Sequence, residues 1–261
     1  MTPGLTGGAP IRHAEPVMGT VVSFAVHPGG LTPNAAAAAL ASACRILHQA
    51  DATFSTYDPE SPISRLRRGD AALAELPSDV AAVLALCEYA KEVSAGWFDP
   101  WAMPGGVDPT GLVKGWAAER SLAELVRGGV HAAMVNAAGD LVVHGRPPGH
   151  PGWRIGVRHP WRDDALACII EADAAVATSG SYERRAHLID PKSGRPRTGA
   201  ASATVTGSSL PLADALATAL AIAGPDAIRL VTELAGYNAY VIDLDGGEHA
   251  SDGIRFASAP R

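Results

Sequence analysis

The apolar pattern of this chain changes period near Ala132, and that change limits the folds open to it. Upstream, apolar residues recur at helical spacing in Asn34–Thr53, Ser78–Ala95 and Leu112–Val126. Asn34 and Ser78 stand where N-caps belong, and Gly96 ends the second of these helices. Short runs of β type follow: Ala133–Asn136, Leu141–His144, Trp153–Arg158, Ala167–Glu171 and Ala175–Thr178, separated by Gly, Asn, Asp and Pro turns. One strand, Thr20–Val26, precedes the first helix, and Thr204–Gly207 is another. Pro211–Ala223 and Asp226–Leu234 read as helices, and Ala239–Leu244 with Asp245-Gly246-Gly247 opens a C-terminal hairpin. Helices, then strands, then helices again make an α+β plan; a parallel sheet would need regular βαβ alternation.

The chain has 261 residues, 47% of them hydrophobic, which is enough for a substantial core. Residues 1–12, rich in Gly, Pro and Thr, read as a flexible leader, and 13–261 as a single domain without repeats or low-complexity linkers. The net charge is −6 with no Lys/Arg stripe, so a nucleic-acid partner is not expected; Arg65, Arg67 and Arg68 read as a solvated face. No apolar run reaches the roughly 18–20 residues of a membrane span, and the leader has neither a basic n-region nor an apolar h-region. A cytoplasmic location is the expectation. Cys44, Cys87 and Cys168 lie far apart without CxxC spacing, which argues against a disulfide framework or a zinc site and for apolar packing.

Three segments can carry chemistry. In Leu210-Pro211-Leu212-Ala213-Asp214-Ala215-Leu216-Ala217-Thr218, Asp214 and Thr218 are spaced i, i+4 on an otherwise apolar helix. They are either two hard oxygen ligands suited to Mg²⁺, or a helix cap with Thr218 bonding back to it. Asp108-Pro109-Thr110-Gly111-Leu112-Val113-Lys114 puts an acid, a helix start and a lysine close together. That is an anion site if the helix N–H groups are free, and an ordinary loop with a solvated Lys114 otherwise; no Walker A pattern is present. His187, three residues before Asp190 and beside the small-residue loop Thr178-Ser179-Gly180-Ser181, is the histidine placed to take a proton from a hydroxyl. His13, His27, His48, His131, His144, His150, His159 and His249 read as packed or surface side chains. An acidic protein that handles a phosphate ester needs a cation or local donors at the site.

The order of these segments is more telling than any one of them. Met18-Gly19-Thr20, Phe54-Ser55-Thr56-Tyr57, Gly96-Trp97-Phe98-Asp99-Pro100, Asp108 to Gly115, Asn136 to Asp140, Thr178-Ser179-Gly180, His187 to Pro196 and Asp214 to Thr218 together resemble the ApbE family, the FAD:protein FMN transferases, from about residue 15 to 244. The resemblance implies a T-fold-like mixed α/β body with an antiparallel sheet and packed helices, binding FAD as substrate. It implies that Met18, Tyr57, Trp97, Phe98 and Asp99 line the flavin and adenine ends, and that Asp108 and Lys114 hold the ligand. The Gly111 carbonyl, Asp214, the Ala217 carbonyl and Thr218 would bind Mg²⁺. His187 would sit near the diphosphate and act as base, with Asp214 the second catalytic residue. The implied reaction moves FMN from FAD to a threonine of an acceptor protein and releases AMP. The same site would serve an FAD diphosphatase, or a non-catalytic FAD-binding protein. Three departures stand out: no export signal where members are often lipoproteins, Ala138 where a second glycine is usual, and a short segment between Pro104 and Asp108.

Overall fold

The computed structural model describes residues 9–180 and 188–257. Twelve strands lie among the described residues: β1 (Ile11–Val17), β2 (Thr20–His27), β3 (Ala132–Ala137), β4 (Asp140–His144), β5 (Trp153–His159), β6 (Arg162–Ala172), β7 (Ala175–Gly180), β8 (Ile189–Asp190), β9 (Arg195–Pro196), β10 (Ser202–Gly207), β11 (Asn238–Ile242) and β12 (Glu248–Ala250). The helices are α1 (Pro33–Phe54), α2 (Pro62–Arg68), α3 (Ser78–Val93), α4 (Thr110–Arg127), α5 (Leu210–Ala223) and the short α6 (Arg229–Thr232). Eight strands form one sheet in the order β1-β2-β3-β4-β7-β10-β11-β12, and every neighbouring pair is antiparallel. The α+β expectation holds.

Period-2 alternation decides which side of the sheet each residue serves. Val22, Phe24 and Val26 of β2, Ala133, Val135 and Ala137 of β3, and Val142 of β4 bury against the helices in the main core. The alternate residues Ala25, Ala132, Leu141 and Val143 turn to the other face, where Trp153, Ile155 and Ala172 of the β5–β6 hairpin cover them. On this parity Asp140 and Ser179 belong to the helix face, while Thr178 and Thr204 share the far one, their hydroxyls 2.9 Å apart.

Several element ends differ from expectation. Asn34 is not the cap of α1; the Thr32 hydroxyl accepts from Ala35 N–H, with Pro33 inside the first turn. Ser78 begins α3 after Pro77, which offers no capping side chain. Residues 11 and 12, read as leader, begin β1, which runs on to Val17. Pro16 is tolerated because β1 is an edge strand. The run Asp226–Leu234 is no single helix: Gly224 at φ +95° resets the chain, leaving a 3₁₀ turn at Pro225–Ala227 and the four-residue α6. The 62–68 segment, unassigned from sequence, is α2, started by the Ser61 hydroxyl on Ser64 N–H and ended by Gly69 at φ +77°.

Candidate active site

Antiparallel order brings one set of strand ends together. The β1–β2 turn at Met18-Gly19 and the β3–β4 turn at Ala138-Gly139 have positive φ at both central residues, as tight hairpin turns of the I′ kind require. Val22 pairs with Ala137, Leu141 with Val176, and Gly180 with Ser202. Both turns, the start of β4, the end of β7 and the start of β10 therefore lie at the same edge of the sheet.

Helices α4 and α5 close over this edge. Each runs back against the strand it adjoins, so strand order makes the two helices antiparallel. They meet at Gly115, where a Cβ would stand 3.0 Å from the Leu210 carbonyl and from Pro211 Cα. One turn back along α4 is Gly111, and one turn forward along α5 is Asp214, so these two positions face the same space. Glu119 helps to set the angle by accepting the Leu210 N–H at 2.6 Å, a cap reaching across from the other helix. Burial raises the Glu119 carboxyl above its usual pKa, against the pull of that bond.

Asp214 lies beyond the N-cap Ser209, in the second turn of α5, so it is not the helix cap. It is 4% exposed. Thr218 reaches across to the sheet, its hydroxyl 3.1 Å from the Ser179 hydroxyl. Two hydroxyls thus meet where α5 crosses β7, with the buried Asp214 one helical turn back along α5. Ala217, also in α5, is fully buried.

Lys114 is not a solvated cation. Its Nζ lies 2.7 Å from Asp140 Oδ2, and Asp140 is 2% exposed. Burial pushes the Asp140 carboxyl above its ordinary value; the Lys114 ammonium and the Thr178 backbone N–H oppose the rise. Asp108 stabilises the start of α4, where Oδ1 accepts the Thr110 N–H at 3.0 Å and the Thr110 hydroxyl at 2.6 Å.

The residues expected to hold flat rings divide. Tyr57 is 94% exposed and borders a cleft of about 260 Å³ with Arg67, Arg68 and Gly105. Met18 sits in its turn, partly buried against the main core. Trp97 already carries two cations: Lys192 Nζ is 4.6 Å and the Arg197 guanidinium 5.1 Å from its ring centre. Phe98 is buried, and its ring edge packs at Gly111, where a Cβ would meet it at 3.2 Å. Asp99 caps Trp101 N–H at 2.9 Å and pairs with Lys91 at 2.9 Å. Asp190 organises the β8–β9 hairpin by accepting the Lys192 N–H and the Ser193 hydroxyl, and the first of these holds its carboxyl below the usual range. His187 lies outside the described residues.

Two contributors escaped the sequence reading. Arg67, taken as solvated, is tucked in and donates to the carbonyls of Pro104 and Gly105 at 3.1 and 3.2 Å, with Asp108 3.9 Å away. The Lys114–Asp140 pair joins residues from two segments that were read separately. Charge alone offered no signal for either pairing, because each is made by the way α2 and β4 pack on their neighbours.

A model of the ApbE family matches residues 18–106 and 102–241, and the chain belongs to that family. A protein of Rhodobacter capsulatus called FAD:protein FMN transferase is 31% identical over 150 residues, 54% of this chain and 28% of that relative. One of the same name from Vibrio cholerae is 34% identical over 138 residues, 49% of this chain and 41% of the relative. The matched stretches thus span less than half the length of these curated relatives. Among solved structures, the flavin transferase ApbE from Vibrio cholerae superimposes with a TM-score of 0.80 at 22% identity, covering 93% of this chain and 97% of that one. The ApbE protein of Thermotoga maritima gives 0.81 at 22% identity, with 93% and 97% covered. These structures share the fold.

Proposed function

We propose that this protein transfers the FMN half of FAD onto a threonine hydroxyl of an acceptor protein, releasing AMP, with Mg²⁺ bound at Asp214. One observation carries the reading. In a chain of the ApbE family, a buried carboxylate, Asp214, stands one helical turn from Thr218, whose hydroxyl meets that of Ser179 on the sheet. Named relatives are FAD:protein FMN transferases.

The donor set suits a hard divalent ion. Asp214 is the lone charged side chain of α5, and Thr218 and Ser179 add neutral oxygens. Carbonyls of Gly111 and Ala217 would complete the protein's share. Such an ion, when bound, supplies charge neutralisation for a diphosphate under attack.

The chain's own residues do the rest. Lys114, held by Asp140, keeps a positive charge at the start of β4, and Asp108 orders the first turn of α4. Tyr57 borders a cleft with room for a ring, and the cations on Trp97 add positive potential for a phosphorylated ligand. In the reaction the threonine oxygen bonds to the FMN-side phosphorus. The bridge to the AMP phosphate breaks, AMP leaves with the electron pair, and the threonine proton passes to a base. His187 is assigned that role from its place in the sequence.

The test is mass spectrometry of a flavin-accepting domain incubated with the protein, FAD and Mg²⁺. A mass gain equal to an FMN phosphoester, lost with chelator and reduced roughly 10²–10³-fold by Asp214→Asn, is expected. Free FMN without modified acceptor would establish hydrolysis instead. Intact FAD that remains bound would establish a carrier.

A further inference from the structure

A second cluster of ligating side chains lies where the edge strand β1 meets α1. His13 and Glu15 are two apart on β1 and share one face; Cys44 and His48 are one turn apart on α1 and share another. Packing α1 on β1 brings the faces together. Glu15 is the centre: His13 Nε2 lies 2.8 Å from Oε2, and His48 Nε2 lies 2.9 Å from Oε1. Ligand atoms of His13, Glu15 and Cys44 all fall within 4.8 Å of one another. The carboxylate is 20% exposed, so the site is partly enclosed yet reachable.

We propose that His13, Glu15 and Cys44 form a site for one divalent transition ion of the zinc kind, with His48 steadying Glu15 through its other oxygen, and that the ion clips the edge strand β1 to α1.

The chemistry of the three donors selects the ion. An imidazole nitrogen, a thiolate and a carboxylate are borderline-soft ligands of the kind zinc takes, with the fourth tetrahedral position left to water. Mg²⁺ prefers all-oxygen surroundings, so this site and the one at Asp214 call for different metals. Charge balances as well: thiolate and carboxylate together neutralise a divalent ion, and His13 binds as a neutral ring while His48 keeps its bond to Glu15. The ion replaces the protons now shared around Glu15, and the Cys44 proton leaves to solvent. The Glu15 carboxylate accepts from both histidines, so its oxygens already face the donor cluster. Sequence spacing hid the site because its ligands come from two different elements, with no CxxC between them.

A clip at this place has a mechanical role. β1 is at the edge of the sheet and pairs on one side alone, with β2. Its next stop is Met18 in the turn at the candidate active site, so anchoring β1 also steadies that turn.

The experiment titrates Co²⁺ into metal-free full-length protein and records the near-ultraviolet thiolate-to-cobalt band. One equivalent per chain is expected to produce the band, and Cys44→Ala to abolish it while Cys168→Ala leaves it intact. Zn²⁺ at about a hundred times its Kd should raise the melting temperature by roughly 5–10 °C, and should not do so in Cys44→Ala. Should Cys44→Ala fail to fold, His13→Ala and His48→Ala serve, since both side chains are more than a third exposed; each should weaken cobalt binding at least about tenfold. Absence of the band in the parent protein, or a band that survives these changes, overturns the proposal.

Discussion

Removing the Lys114 ammonium with Lys114→Met keeps most of the side chain's bulk and leaves Asp140 without its ion-pair partner. The gross attraction at 2.7 Å is about 6 kcal/mol at an effective dielectric near 20. Most of that offsets the cost of burying the carboxylate, so breaking such a pair from one side costs about 3–5 kcal/mol. Lys114 is 33% exposed, so water screens the pair, and roughly 2–4 kcal/mol is the expected loss. The loss has a definite pH dependence. Burial raises the Asp140 carboxyl, and without Lys114 it rises further. An acid with a raised folded pKa costs stability only once it ionises in the unfolded chain, and the cost grows until pH passes the folded pKa. The deficit of Lys114→Met should therefore be small in mild acid and full near neutral pH. Asp140→Asn should cost less, because a partly exposed lysine regains water. Urea unfolding of both variants at about pH 5 and about pH 8 tests this. An equal deficit at the two pH values, or an Asp140→Asn as damaging as Lys114→Met, would refute the reasoning.

Two further changes probe the frame of the site. Gly115→Ala places a methyl 3.0 Å from the Leu210 backbone and should push α4 from α5, costing about 1–3 kcal/mol despite the better helix former; thermal melts, with Mg²⁺ affinity followed in parallel, check it. Ala138 sits at φ +57°, where a side chain is strained, so Ala138→Gly should add about 0.5–1 kcal/mol of stability by denaturant unfolding.

The strands and the three long helices were legible because their periods are strong. Val22, Phe24 and Val26 alternate cleanly, and the apolar face of Val80, Val83 and Cys87 repeats at helical spacing. Boundaries went astray where one local rule outbid another, as at Thr32 over Asn34, or where topology licensed a breaker, as with Pro16 on an edge. The candidate site was half legible. Asp214 and Thr218 announced themselves by standing on an apolar helix, and the structure settled that Asp214 is not a cap. What sequence could not show was pairing across elements: Lys114 with Asp140, Glu119 with Leu210, Thr218 with Ser179. Each joins segments tens of residues apart, and no spacing rule reaches that far.

The helix contact at Gly115 also sets when in the life of the chain a site exists. The sheet grows largely between strands close in sequence, as β1 with β2 and β3 with β4, so much of it can form as the chain emerges from the ribosome. The contact of α4 with α5 cannot, for Asp214 and Thr218 stand in α5, after six of the sheet's eight strands have been made. A nascent or truncated chain that lacks α5 thus has its turns in place but neither Asp214 nor Thr218.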